Sequence, residues 1–246
     1  MKLLWSITTL AVILLISPLV LVFFKGMAPS ALQALWADTQ TLRAAAESLG
    51  LALATAIITT FLGSFIAYSL PSLPPWMRRF VNRGLIFPMV LPEIALGLSY
   101  MVWFVKWGVP FGWGTLLSAH VAFSLSYATL IMKIRFEVLD NRIVDAAKDL
   151  GAGGFSLVRH AYWPQIAPGV FSSFVTCFAL SVDDFLVSFF VKGIEQNLLP
   201  IRVFSMMRIR IGPELYALSF VLFCVSMATV LVTQIWLRDR KKEVAL

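Results

Sequence analysis

The chain has 246 residues, is 59% hydrophobic and only 13% charged, and carries a formal net charge of +7. Soluble domains hold about 45–50% apolar and about 25% charged residues, so this composition excludes an ordinary soluble domain and points to an all-α integral membrane protein. Cys177 and Cys224 lie apart in apolar runs and the two histidines have no partner cluster, which excludes a disulfide framework and a metal site; no basic, aromatic-interleaved stretch marks nucleic-acid binding.

A spanning helix needs about 20 mostly apolar residues. Six segments qualify in chain order: 4–24, 48–70, 84–105, 114–133, 166–191 and 215–237. The first is longer than the roughly 7–15-residue core of a secretory signal and has no convincing cleavage site after it, so it reads as a retained helix. Between the second and third lies "SLPSLPPWMRRFVNRG", a short basic loop. The third holds Glu93, with Pro88, Pro92 and Gly97 around it to kink the helix or free its carbonyls. "KWGVPFGWG" is a tight turn. The fourth carries His120 among small residues, where it reads as a helix–helix hydrogen-bonding group.

The stretch after the fourth span is long enough to carry function. Asp140 or Asn141 can cap a helix, and Ile143, Ala146, Ala147 and Leu150 follow helical spacing. Gly151 ends that helix. A second short helix is expected around 154–162, with Pro164 marking the exit into the fifth span. The fifth span holds Asp183 and Asp184 side by side. An Asp at a helix centre costs about 2.5–3.5 kcal/mol on insertion scales, so such residues face a bundle interior or a watery path. On a continuous helix the pair would project about 100° apart. Asp184 would share a small, polar stripe with Ser173, Cys177, Ser181 and Ser188. Asp183 would share a less polar one with Thr176, Ala179, Val187 and Phe190. The Asp184 stripe suits a pathway or a close helix contact, so Asp184 is expected to line a route and Asp183 to support it or pair with a neighbouring helix; Phe185, Phe189, Phe190, Tyr100 and Trp103 are nearby in sequence and individually read as packing or interface anchors. The outer stretch after the fifth span mixes apolar residues with Arg202, Arg208 and Arg210.

Lys/Arg placement sets orientation. With both termini in the cytoplasm, the inside holds Lys2, Arg78, Arg79, Arg83, Lys133, Arg135, Arg142, Lys148, Arg159, Arg238, Arg240, Lys241 and Lys242. The outside holds Lys25, Arg43, Lys106, Lys192, Arg202, Arg208 and Arg210. The bias favours N-in, C-in. With no internal repeat, residues 1–246 read as a single transmembrane domain.

The run Asp145-Ala146-Ala147, then three residues, Gly151, then twelve residues and Pro164 resembles the EAA loop. That loop marks the permease subunits of ATP-binding-cassette (ABC) importers that use a separate binding protein. Asp145 replaces the usual Glu, and Ala161 and Trp163 replace an Ile and a Leu. "PEIALGLS", "DAAKDLGA", "LSVDDFLVSFFVKG" and "LPIRVFSMMRIRIGPELYAL" are similar to the spermidine/putrescine branch of that family. The resemblance implies a MetI-like permease fold in a bacterial inner membrane. It also implies a second homologous permease, an ATPase dimer and a periplasmic or lipid-anchored polyamine-binding protein as partners. Asp145, Ala146, Ala147, Gly151 and Pro164 would dock on the ATPase, and Arg202, Arg208 and Arg210 would face the binding protein. Glu93, Asp183 and Asp184 would form the substrate pathway.

No phosphate-binding G-x-x-x-x-G-K-[ST] stretch is present. The expectation is no enzyme and no cofactor on this chain, with ATP and Mg on the partner ATPase. An importer of the same architecture for another substrate is an alternative, although membrane-embedded acids without membrane-embedded Lys or Arg argue against an anion. A six-span membrane enzyme would want a clustered His/Asp/Glu site, a Ser/Lys pair or an H-E-x-x-H, and none is seen.

Overall fold

A computed structural model describes residues 14, 16–17, 20–225 and 227. Parts of the expected spans 4–24 and 215–237 lie outside the described residues, as do Lys2, Arg238, Arg240, Lys241 and Lys242. The described residues are helical and contain no strand. In chain order the helices are α1 (Val20–Gly26), α2 (Pro29–Ala37), α3 (Thr39–Ser69), α4 (Pro75–Val90), α5 (Glu93–Lys106) and α6 (Trp113–Glu137). These are followed by α7 (Asn141–Asp149), α8 (Gly154–Leu157), α9 (Trp163–Asp183), α10 (Leu186–Val191), α11 (Leu199–Ile209) and α12 (Pro213–Val225).

Among the described residues three helical stretches are long and apolar enough to cross a membrane: Thr39–Ser72, Trp113–Glu137 and Gly154–Asp183. Two bent pairs, α1 with α2 and α4 with α5, raise this to five if each is one span. Several expected boundaries move. The second span begins at Thr39 rather than 48, because the preceding stretch is already helical. The basic loop 69–84 is mostly helix: Pro75 is the first residue of α4, where its missing N–H costs nothing. The expected span 84–105 is broken by a 112° bend. Leu91 is extended and Pro92 cannot donate a hydrogen bond to a preceding turn. The stretch after 192 contains α11 rather than only loop.

Contacts divide the chain into two units, Ala44–Ile201 and the residues on either side of it. In the central unit, Leu51, Leu96, Phe104, Leu116, Phe123, Val187 and Val191 form the buried apolar core. Close helix approach depends on small residues. A Cβ on Gly97 would lie 2.8 Å from the ring of Phe190. Ser173 meets Thr60 at 3.3 Å, and Cys177 Sγ donates to the Ser124 carbonyl at 3.6 Å.

In the other unit, Phe23 packs edge-on against Phe220 and Phe223. The Asp38 carboxylate caps the first turn of α3 by accepting from the Gln40 and Thr41 amides. Arg202 Nη2 donates to Asp38 Oδ2 at 3.2 Å and Arg202 Nε to Thr41 Oγ1 at 3.3 Å.

Candidate functional site

The fifth expected span is where sequence and structure differ most. The helix ends at Asp183; Asp184 is extended (φ −67°, ψ 118°), and α10 begins two residues later. Asp184 Oδ1 accepts from the Val187 amide at 3.2 Å and Oδ2 from the Ser188 amide at 2.7 Å. The carboxylate thus satisfies two of the donors that a new helix start leaves unpaired. It is 8% exposed.

His120, fully buried on α6, fastens both sides of this break. Its Nδ1 lies 2.7 Å from Ser181 Oγ in α9, and its Nε2 lies 2.9 Å from Ser188 Oγ in α10 and 3.4 Å from Asp184 Oδ2. An acceptor-only carboxylate beside Nε2 fits the tautomer with its proton there. The expected helix–helix role of His120 is what the geometry places there. The small, polar stripe of Ser173, Cys177, Ser181, Asp184 and Ser188 is buried throughout. Ser173, Cys177, Ser181 and Ser188 make it a helix-packing surface, and Asp184 also reaches the wall of a cavity.

The other stripe opens outward. Thr176, Ala179 and Asp183 face a cavity of about 710 Å³, which Glu93, Phe123 and Tyr127 also line. Asp184 touches its wall, but its oxygens are occupied as described. Asp183 is exposed, and its carboxylate makes no hydrogen bond or ion pair among the described residues. Glu93 is also exposed and opens α5, where the positive end of the helix dipole favours an acid. The chain break turns Asp184 inward as a cap and leaves Asp183 exposed beside the cavity.

Tyr100 and Trp103 line a separate cavity of about 390 Å³, and Phe190 packs on Gly97. The rings at the acids are Phe123 and Tyr127 of α6, which no motif singled out. Their i, i+4 spacing on one face of the fourth span was the available signal.

A second exposed feature lies between α6 and α9. Asp140 caps α7 by accepting from the Arg142 amide at 2.9 Å. After α7, Gly151 takes φ +84°. Its N–H donates to the Lys148 carbonyl at 2.8 Å, and that of Ala152 to the Ala147 carbonyl at 2.9 Å. This is a Schellman ending, and its left-handed residue favours glycine. Asp145 pairs with Lys148 at 3.1 Å, with both side chains exposed; that hydrogen bond raises the Lys148 ammonium above its ordinary range. Ala146 is exposed and Ala147 half-buried. Leu150 is 88% and Phe155 77% exposed, a solvent-facing apolar pair of the kind that marks docking surfaces.

Pro164 is not an exit from a separate helix. α8 continues through a π turn at Val158–Tyr162 into α9, and the Trp163 amide reaches back to the Val158 carbonyl. The widened turn sits where Pro164 lacks an N–H. The loop is held to the start of α9 by Gln165, whose Oε1 accepts from the Asp140 amide at 2.9 Å and whose carbonyl accepts from Arg135 Nε.

Of the three arginines after the fifth expected span, Arg202 is taken up by Asp38 and Thr41. Arg208 stacks over Phe204 at 4.7 Å, and Arg210 lies 4.0 Å from Glu214; both remain exposed. Among the described residues no group of His, Cys, Asp and Glu could hold a metal ion.

Comparison with known proteins gives this geometry a family. The chain is 34% identical over 201 residues to the spermidine/putrescine transport system permease protein PotC of Escherichia coli K12, covering 82% of this chain and 76% of that protein. It is 32% identical over 212 residues to the Haemophilus influenzae protein of the same name, covering 86% and 82%. The putrescine transport system permease protein PotI of E. coli K12 is 35% identical over 138 residues, covering 54% and 49%. Among solved structures, an amino acid ABC transporter with histidines aligns with TM-score 0.61 at 16% identity, covering 87% of this chain and all of that one. A bacterial ABC transporter involved in alginate import aligns with TM-score 0.68 at 10% identity, covering 97% and 96%; these two support the fold alone. The profile of the binding-protein-dependent transport system inner membrane component family matches residues 59–238, and the chain belongs to that family, as a transport permease subunit.

Proposed function

We propose that this chain is one of two homologous permease subunits of a bacterial inner-membrane ABC importer for polyamines. The observation that carries the substrate is the cavity into which Glu93 and Asp183 both project beside Phe123 and Tyr127. A polyamine is a chain of methylenes with ammonium groups at intervals. Its passage needs carboxylates to replace lost water and rings to meet methylenes and cations. The names of the PotC and PotI relatives agree with that chemistry. In this reading residues 1–246 form one transmembrane domain of six spans with both termini in the cytoplasm. The segment from Asp140 to Pro164 docks on an ATPase dimer through Asp145, Ala146, Ala147 and the exposed Leu150. Arg208 and Arg210 face a periplasmic or lipid-anchored binding protein, while Arg202 holds the fold. ATP and Mg belong to the ATPase, and no cofactor is assigned to this chain.

Reconstitution of the chain with its second permease, ATPase and binding protein in proteoliposomes tests this. ATP-driven uptake of labelled spermidine or putrescine is expected. Asp183→Asn and Glu93→Gln should each reduce it about tenfold or more, the scale of losing one charged hydrogen bond, with the complex still assembled. Uptake of a metal cation or oxyanion in place of polyamines would reassign the substrate. Wild-type polyamine uptake in both variants would remove the carboxylates from the pathway.

A further inference from the structure

Away from the acid-lined cavity, a second one of about 310 Å³ opens at the end of α6 that leads into α7. Its walls come from the end of α3 and the 3-10 turn after it (Leu70, Pro71), from α4 (Arg78, Asn82) and from α6 (Lys133, Glu137). Lys133 Nζ donates to Asn82 Oδ1 at 3.2 Å, which leaves two of its three protons for another acceptor. Neither Lys133 nor Arg78 has a carboxylate at ion-pair distance among the described residues.

The helix that closes this cavity has an unusual character. α4 carries Arg78, Arg79 and Arg83 and no acid, and none of its residues is buried. The face opposite the cavity presents Trp76, Phe80, Phe87 and Val90, all more than 60% exposed. Tyr68, also exposed, leans at 5.8 Å on Phe136, which lines the same cavity. A basic helix with an apolar aromatic stripe lies in the membrane interface, and Trp and Tyr mark that level.

We propose that the cavity between α4 and α6 binds the phosphate of an anionic phospholipid headgroup, held by Arg78 and Lys133. The cavity accepts a phosphodiester with its glycerol, and each lining cation that reaches the phosphate strengthens its attraction roughly fivefold. Glu137 opposes it from the rim. The stripe on the far side of α4 favours lipid over a soluble phosphate as the source, because it places the cavity mouth at headgroup depth.

The full chain in mixed micelles, examined by native mass spectrometry with phosphatidylglycerol or phosphatidylcholine, tests this without reference to transport or sidedness. Preferential retention of phosphatidylglycerol is expected. Arg78→Gln and Lys133→Gln should each weaken it roughly fivefold, and Arg79→Gln, outside the lining, should change it little. Glu137→Gln should strengthen retention, an effect that loss of fold cannot produce. Equal retention of both lipids, or indifference to Arg78, Lys133 and Glu137, overturns the site. Displacement of the lipid by millimolar inorganic phosphate would make it a soluble-anion site and overturn the lipid assignment.

Discussion

The carboxylate of Asp184 is engaged by the Val187 and Ser188 amides and approached by His120, whereas that of Asp183 faces open space in the large cavity. A cap of this kind stabilises by about 0.5–2 kcal/mol relative to Ala, and Asn caps about as well as Asp. Asp184→Ala should therefore lower the thermal midpoint of the detergent-solubilised chain, and Asp184→Asn, which keeps one acceptor oxygen but sets its NH2 against the second amide, should lower it less. A midpoint unchanged in Asp184→Ala would show that the cap contributes nothing to stability. The presence of acids in this span was legible in the sequence, but the helix break at Asp184 was not. An Asp that ends one helix and starts another, with Phe185 and Leu186 following, reads as an uninterrupted apolar run. Only the three-dimensional position of His120, more than sixty residues away in sequence, reveals the break.

Among the elements, α7 was the most legible. Its cap, its apolar spacing and its terminating glycine are all local signals, and they hold from Asp140 to Gly151. The long apolar helices were legible for the same reason. The break at Leu91–Pro92 could be read from proline, although its 112° angle could not. The basic residues after Pro75 suggest a connection, whereas Pro75 is the first residue of a helix. The α8–α9 continuity was hidden by Pro164, since a π turn leaves no sequence mark that distinguishes it from a stop. These features make α7 a sensitive target. Gly151→Val forces a β-branched residue into φ +84°, at a cost of roughly 1–2 kcal/mol, and should reorient the segment after α7. Membrane levels should remain near normal while ATP-driven uptake falls. Leu150→Asp, on an exposed side chain, should leave the fold intact and reduce co-purification of the ATPase. Full uptake and full co-purification in both variants would show that this loop is not the coupling element.

At the scale of the whole molecule, the Asp38–Arg202 pair joins positions 164 residues apart. Burial pushes the Asp38 carboxyl up, but hydrogen bonds from Thr41 and then Arg202 outweigh it and hold the group below its ordinary value of 3.8. A depressed carboxyl contributes stability that is present above the ordinary carboxylate range and lost as pH falls through the lowered value. The thermal midpoint of the wild-type chain should therefore drop on acidification below about pH 4. Asp38→Asn should be less stable at neutral pH and lose part of that acid dependence. An Asp38→Asn profile parallel to wild type would show that the pair contributes nothing to folding. Continuity from Gly154 to Asp183 has a mechanical consequence of its own. The 30 residues of that stretch extend about 45 Å at 1.5 Å per residue. On the proposed reading such a rod, with Leu150 and Phe155 exposed near one end and a free carboxylate at the other, would act as a lever. A tilt of roughly 5° about its loop end would sweep Asp183 through about 4 Å, more than the length of a hydrogen bond and enough to make or break its contact with an ammonium in the cavity.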